Sequence, residues 1–271
     1  MLLNFSKYQG AGNDFIIVDN RDNNFPRSDK SLVARLCDRK FGIGADGLML
    51  LQNAATGHDF EMVYFNSDGR ESTMCGNGGR CIAAFAARLQ LIEKETTFLA
   101  ADGMHEAILL QPETVRLHMT DVDKVEKNDA FCFLNTGSPH YVKFVTDAAG
   151  INVYHEGMNI RYSNRFKEQG TNVNFVQDMG DSIFVRTYER GVENETLSCG
   201  TGIVASAISS YLQKNTDEPS FTIPVSAPGG KMVVSFDHKN GKFTNIWLEG
   251  PAIFVFEGKI ETTRLSLIFD L

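Results

Sequence analysis

No stretch of this sequence approaches the roughly 18 consecutive apolar residues that a membrane-crossing helix needs, which argues against an integral helical membrane protein. The first ten residues carry polar Asn4, Ser6, Lys7 and Gln9 and lack the apolar core of a secretory signal, so a soluble, intracellular and cytoplasmic protein is expected. Positive charge is in deficit. Lys and Arg number 26 against 34 Asp and Glu, a formal net charge of -8, which repels phosphate backbones and anionic membrane surfaces and argues against nucleic acid or a membrane as partner. Cysteine is sparse and odd in number: Cys37, Cys75, Cys81, Cys132 and Cys199 include no C-x-x-C pair, so neither a disulfide framework nor a zinc ribbon is indicated. The six histidines form no H-x-x-x-H or Cys–His ligand spacing, and no metal is expected. What is present is ordinary globular usage, 42% hydrophobic and 22% charged, over 271 residues: one large domain or two modest ones, each able to bury a core.

Short apolar runs dominate. Phe15 to Asp19, Leu48 to Leu51, Phe60 to Phe65, His105 to Leu110 and Thr114 to Met119 read as strands, as do Phe131 to Leu134, Tyr141 to Val145, Asn174 to Val176 and Ile183 to Tyr188. Leu32, Leu36 and Phe41 lie near helical spacing and predict a surface helix over Ser31 to Lys40, with Ser28 or Asp29 as its N-cap. Cys81 to Ala87 and Cys199 to Gln213 also read as helices, but neither contains a charged residue, and a helix without a polar face must be enclosed on most sides. Polar, acidic Asp121 to Asp129 reads as a crossing between halves. The expected domains are 1–119, joined by a returning C-terminal strand at about 257–271, and 120–256.

The halves echo each other. Tyr64-Phe65-Asn66-Ser67-Asp68-Gly69 leads to Cys75-Gly76-Asn77-Gly78, and Thr187-Tyr188-Glu189-Arg190-Gly191 leads to Cys199-Gly200-Thr201-Gly202, each followed by a small-residue apolar helix. Two copies of strand, polar loop, C-G-x-G and buried helix imply two similar domains facing one another, with a cleft lined twice by the same element.

Gly42-Ile43-Gly44-Ala45-Asp46-Gly47 satisfies G-x-G-x-x-G, but it follows a helix and precedes a strand, the reverse of a dinucleotide fingerprint, and reads as a turn. Cys37, Cys132 and Cys81 read as small core residues. Cys75 and Cys199 differ, because each immediately precedes a glycine-containing turn into an apolar helix, where unpaired N–H groups and the helix dipole favour an anion and ease thiol ionisation. His140 ends the turn sequence Thr136-Gly137-Ser138-Pro139, which suits either a partly exposed loop histidine or a working imidazole.

Six segments then carry a family resemblance: Tyr8 to Phe15 (YQGAGNDF), Phe65 to Gly69 (FNSDG), Met74 to Arg80 (MCGNGGR), Glu189 to Gly191 (ERG), Ser198 to Gly202 (SCGTG) and Pro228 to Gly230 (PGG). In this order, nearly end to end, they resemble the diaminopimelate epimerases. The resemblance implies an α/β (α+β) fold of two pseudo-symmetric domains, each a curled, mostly antiparallel sheet wrapped around a central helix. It also implies a homodimer, a small-molecule substrate, no cofactor, and interconversion of LL- and meso-diaminopimelate on the way to lysine and peptidoglycan precursors.

Inverting a stereocentre without a cofactor requires one group to take the Cα proton and another to return a proton on the opposite face, and thiolate and thiol suit both tasks near neutral pH. The resemblance assigns these roles to Cys75, acting on the L centre, and Cys199, acting on the meso substrate. Backbone N–H groups starting at Gly76 and Gly200 would receive the substrate carboxylate as it gains charge. Arg190 can grip a second carboxylate and Glu189 an ammonium. By resemblance Asn13, Asn66 and Asn172 join the recognition shell, Asn77 and Thr201 lie nearer the reacting carbon, and His140 assists thiol deprotonation together with Glu189. Ser138 stands where many relatives have asparagine, which puts a direct bond to the distal carboxylate in doubt there.

Two rivals are distinguishable. A proline racemase-like or hydroxyproline epimerase-like enzyme of the same fold would show histidine after the first Cys-Gly and an aspartate-led segment before the second, whereas this chain has Asn77 and Glu189-Arg190. A noncatalytic amino acid binder or thiol redox protein needs one thiol or none.

Overall fold

The structure, a computed structural model, describes residues 2–54, 57–111, 113–216 and 218–262. The chain forms two compact units: residues up to Leu117 together with those from Pro251 onward, and His118–Gly250.

In the first unit the strands lie in the order Ile253–Glu261, Leu2–Gly10, Asn13–Asp19, Gly47–Gln52, Phe60–Asn66, Glu95–Ala100, Gly103–Gln111 and Thr114–His118, with Glu71–Ser72 paired to Phe60–Asn66. All joints are antiparallel except Asn13–Asp19 with Gly47–Gln52 and Phe60–Asn66 with Glu95–Ala100. A parallel joint needs a crossover, and helices α1 (Lys30–Cys37) and α2 (Gly76–Arg88) supply the two. Helix α2 packs on Ile253–Glu261 and Leu2–Gly10 near one end of that order and on Gly103–Gln111 near the other, so the sheet curls around it.

The second unit uses the same plan. The order is Val125–Lys127, Cys132–Asn135, Pro139–Phe144, Asn172–Asp178, Ile183–Glu189, Ser220–Ala227, Gly230–Lys239 and Lys242–Pro251, with Asn194–Thr196 paired to Ile183–Glu189. Its two parallel joints fall at the corresponding places, crossed by α3 (Val153–Arg161) and α4 (Gly200–Lys214). The internal repeat is thus a repeat of topology: α1 matches α3 and α2 matches α4.

Burial explains the sequence patterns. Leu48, Met49, Leu50 and Leu51 form an uninterrupted apolar run because both faces of their strand are covered. Leu48 and Leu50 join the core under α1, while the Met49 sulfur lies against Gly78 of α2. In α4 every residue from Gly202 to Tyr211 is buried, and Ser206 and Ser209 satisfy their hydroxyls by donating to the Gly202 and Ala205 carbonyls at 2.7 and 2.8 Å. Asp29 caps α1 by accepting from Leu32 N at 2.9 Å.

Several local expectations change. Helix α1 ends at Cys37 and Phe41 is exposed beyond it, and the crossing segment contains the strand Val125–Lys127. The glycine motif is a turn after α1, in which Ile43 and Gly44 both donate to the Leu36 carbonyl. A Cβ on Gly42 would stand 2.0 Å from the Arg35 carbonyl oxygen and one on Gly47 2.5 Å from the Tyr64 ring, so close packing of this turn accounts for both glycines. His140 is the second residue of the strand Pro139–Phe144 and is fully buried.

Candidate active site

Cys75 and Cys199 hold equivalent positions. Each is the N-cap of the central helix of its unit, in extended backbone, and neither thiol caps the helix it precedes. The first intrahelical bonds are Gly79 N to Cys75 O at 2.7 Å and Ile203 N to Cys199 O at 2.9 Å. The N–H groups of Gly76, Asn77 and Gly78, and of Gly200, Thr201 and Gly202, therefore lie ahead of the helical ladder, at the positive end of the dipole. Gly78 brings the α2 backbone against Met49, and Gly202 brings that of α4 against Asn174 and His140.

The other three cysteines are buried, which holds them as thiols. Burial pushes the Cys37 and Cys81 thiols up to about 12 and raises that of Cys132. None of the five is in a disulfide.

Around Cys75, its Sγ donates to Asn13 Oδ1 at 3.5 Å, and Asn13 Nδ2 donates to Asp46 Oδ2 at 2.6 Å. Arg39 spans Asp46 and Asp14 at 2.7 and 2.6 Å, and nearly buried Lys7 pairs with Asp14 at 2.7 Å while donating to the Gly44 carbonyl. Burial works to raise the Asp14 carboxyl, but hydrogen bonds and charge from Arg39 and Lys7 outweigh it and hold it well below the usual carboxylate range. Asn77 is buried and accepts from Arg80 Nη2 at 2.9 Å. Arg80 itself is fully buried, and its other bonds go to the Pro251 and Gly76 carbonyls. Asn66 lies exposed at the end of its strand, opposite Gly47.

Around Cys199, Sγ lies 3.5 Å from Thr201 Oγ1, which lies 2.9 Å from His140 Nε2. His140 Nδ1 faces Asn174 Nδ2 at 3.0 Å, and Thr187 Oγ1 donates to Asn174 Oδ1 at 2.9 Å. Burial, reinforced by the charge of Arg190 and opposed by the Asn174 bond, pushes the imidazole down to about 3. Asn172 accepts from Arg190 N at 2.9 Å and donates to Ser138 Oγ at 2.9 Å, and the Arg190 guanidinium reaches Ser138 Oγ at 3.4 Å and the Gln169 carbonyl at 3.0 Å. Glu189 accepts from Thr196 Oγ1 at 2.7 Å.

The structure thus links Asn13 to Cys75, and His140 and Thr201 to Cys199, and it groups Asn172 with Arg190. Sequence reading missed Asp14, Asp46, Lys7, Arg39, Arg80, Asn174 and Thr187, and it set Ser138 aside. One signal was available for Asn174: with Asn172 it puts two amides at period 2 on one face of the strand, alternating with apolar Val173 and Phe175.

The family model for diaminopimelate epimerase matches residues 5–125 and 132–255. The chain is 52% identical over 255 residues to a diaminopimelate epimerase of Flavobacterium psychrophilum, covering 94% of this chain and 98% of that protein. It is 41% identical over 259 residues to one of Chlorobaculum tepidum, covering 93% and 98%. Among solved structures, a PhzF-family phenazine biosynthesis protein of Bacillus anthracis matches with a TM-score of 0.73 at 13% identity, over 96% of this chain and 99% of that one. A hydroxyproline epimerase from Agrobacterium vitis matches with a TM-score of 0.69 at 13% identity, over 96% and 92%. At such identity these two share the fold and leave the reaction open. The family match over both halves and the identity to whole-length relatives settle membership: the chain belongs to the diaminopimelate epimerase family.

Proposed function

We propose that this chain is an isomerase that interconverts LL- and meso-diaminopimelate without an organic cofactor, using Cys75 and Cys199 as paired acid and base. Family membership supports the reaction. The observation that carries the chemistry is the duplicated setting, a thiol at the N-cap of a buried helix that opens with glycine, once in each unit.

In this reading the thiolate of one cysteine takes the Cα proton, the electron pair remains on carbon in conjugation with the carboxylate, and the thiol of the other returns a proton on the opposite face. The enzyme is left with the two protonation states exchanged, ready for the reverse reaction. The charge that develops on the carboxylate is met by the N–H groups at the starts of α2 and α4, where one preorganised donor is worth about 2.7–4 kcal/mol. Arg190, held by the Gln169 carbonyl and beside Asn172 and Ser138, presents a guanidinium for the carboxylate at the far end of the substrate, and Glu189 an acceptor for its ammonium. Asn13, Asn66 and Asn77 complete recognition in the first unit. The thiols work only while reduced, which suits the cytoplasm, and the enzyme acts as a homodimer.

Incubation with LL-diaminopimelate in deuterated water tests this reading. Meso product carrying solvent deuterium at the inverted carbon is expected, and unchanged, unlabelled substrate would reject it.

A further inference from the structure

We infer that Asn174 is a positioning residue that locks the tautomer of His140, so that the buried chain Asn174–His140–Thr201 delivers a hydrogen bond to Cys199 and does not accept its proton. This rests on the reading of Cys199 as a reacting thiol, and for that thiol it replaces the expectation that His140, together with Glu189, assists thiol deprotonation.

The direction of each bond follows from chemistry. Asn174 Nδ2 lies 3.3 Å from the Tyr141 carbonyl oxygen, which can only accept, so the amide is oriented with its NH2 on that side. The same NH2 faces His140 Nδ1 at 3.0 Å, while Asn174 Oδ1 accepts from Thr187 Oγ1 at 2.9 Å on its other side. His140 Nδ1 is therefore an acceptor. A neutral imidazole with Nδ1 as acceptor carries its proton on Nε2, which lies 2.9 Å from Thr201 Oγ1. Thr201 Oγ1 accepts from that proton, and its own hydrogen remains for Cys199 Sγ at 3.5 Å.

The ring is kept neutral by its surroundings. His140 and Asn174 are both fully buried, and the charge of Arg190, a cation, acts on the ring to disfavour imidazolium. Glu189, next to Arg190 in the chain, accepts a bond from Thr196. Gly202 is part of the same device, because a Cβ there would stand 2.4 Å from Asn174 Oδ1 and 3.2 Å from His140 Cε1, so only glycine lets α4 start against the relay. The consequence is specific to one of the two thiols. Cys199 faces a hydroxyl donor, which stabilises thiolate, whereas the Asn13 contact of Cys75 presents an amide oxygen, which accepts from the thiol.

The test follows the ring directly and then its effect. In the full-length protein, 15N NMR of the His140 ring should show the Nε2–H tautomer, unchanged from pH 5 to pH 9. An Nδ1–H tautomer, or a ring that titrates in that range, would overturn the inference whether or not the protein epimerises diaminopimelate. Asn174→Asp, whose carboxylate can only accept, should move the ring proton to Nδ1, lower kcat about tenfold with little change in KM, and shift the kcat–pH profile upward on its alkaline-rising limb. Thr201→Val should leave the Nε2–H tautomer in place yet lower kcat by a similar factor, and Thr201→Ser should restore it. Wild-type kcat in Thr201→Val, or failure of Thr201→Ser to recover, would overturn the relay even if Asn174→Asp does not fold.

Discussion

Asp14→Asn tests how the first unit holds its half of the site. Lys7 Nζ lies 2.7 Å from Asp14 Oδ2, with side chains only 8% and 19% exposed, whereas Arg39 is 58% exposed where it joins Asp14 and Asp46. Removing one member of a buried pair leaves the other charge uncompensated, at about 3–5 kcal/mol. Lys7 retains the Gly44 carbonyl and Arg39 retains Asp46, so the lower end, about 3 kcal/mol, applies here. For a chain of this length that corresponds to a fall of about 6–12 °C in Tm. The pH dependence has a definite sign. The folded-state Asp14 carboxyl is held below its ordinary value, so its contribution is fully present above the unfolded value of about 3.9 and is lost as pH falls below it. Urea unfolding at fixed m should therefore give a wild-type to variant gap that is constant from pH 7 to pH 5 and narrows below about pH 4. Equal midpoints at pH 7, or a gap that widens on acidification, would show that the Lys7–Asp14–Arg39 cluster does not carry this load. Epimerisation should fall as well, since the same cluster fixes Asp46 and through it Asn13 beside Cys75.

Gly202→Ala puts a methyl 2.4 Å from Asn174 Oδ1 in a fully buried setting and should cost about 1–3 kcal/mol in urea unfolding as well as lowering kcat; a neutral variant would mean the start of α4 can shift away. Asp29→Ala removes the cap of α1 and should lower stability by about 1 kcal/mol while leaving epimerisation at the wild-type rate, and an equal urea midpoint would deny the cap its role. Peptide mapping after iodoacetamide treatment at pH 8 should leave Cys37 and Cys81 unmodified in the folded protein, because burial pushes both thiols up to about 12; labelling of either before Cys75 or Cys199 would contradict that.

What could be read in the chain beforehand follows physical lines. Leu48 to Leu51 was legible as a strand because its apolar run reports burial on both faces, and α4 was legible as an enclosed helix because Cys199 to Gln213 lacks charge. The paired cysteines were legible because their surroundings occur twice. Helix α3 was not, since Gly157 interrupts its helical propensity; a Cβ there would stand 2.4 Å from Tyr188, a contact that exists only after folding. The same holds for the polar partners. Lys7, Asp14, Arg39 and Asp46 meet only through strand pairing and the turn after α1, and the period-2 spacing of Asn172 and Asn174 names no partner until parallel pairing sets His140 opposite Asn172 on the neighbouring strand. Arg80 lies just ahead of the charge-free run Cys81 to Ala87, inside the helix that the structure starts at Gly76, and its full burial is a tertiary fact.

The most direct measurement of the two-thiol chemistry is the epimerisation rate of Cys75→Ser and Cys199→Ser, each shown to be folded by its urea midpoint. A serine hydroxyl cannot supply a base near neutral pH, so each protein should lose about 10²–10⁴-fold in kcat in both directions. Either variant turning over within a few-fold of wild type would contradict a mechanism that needs both sulfurs.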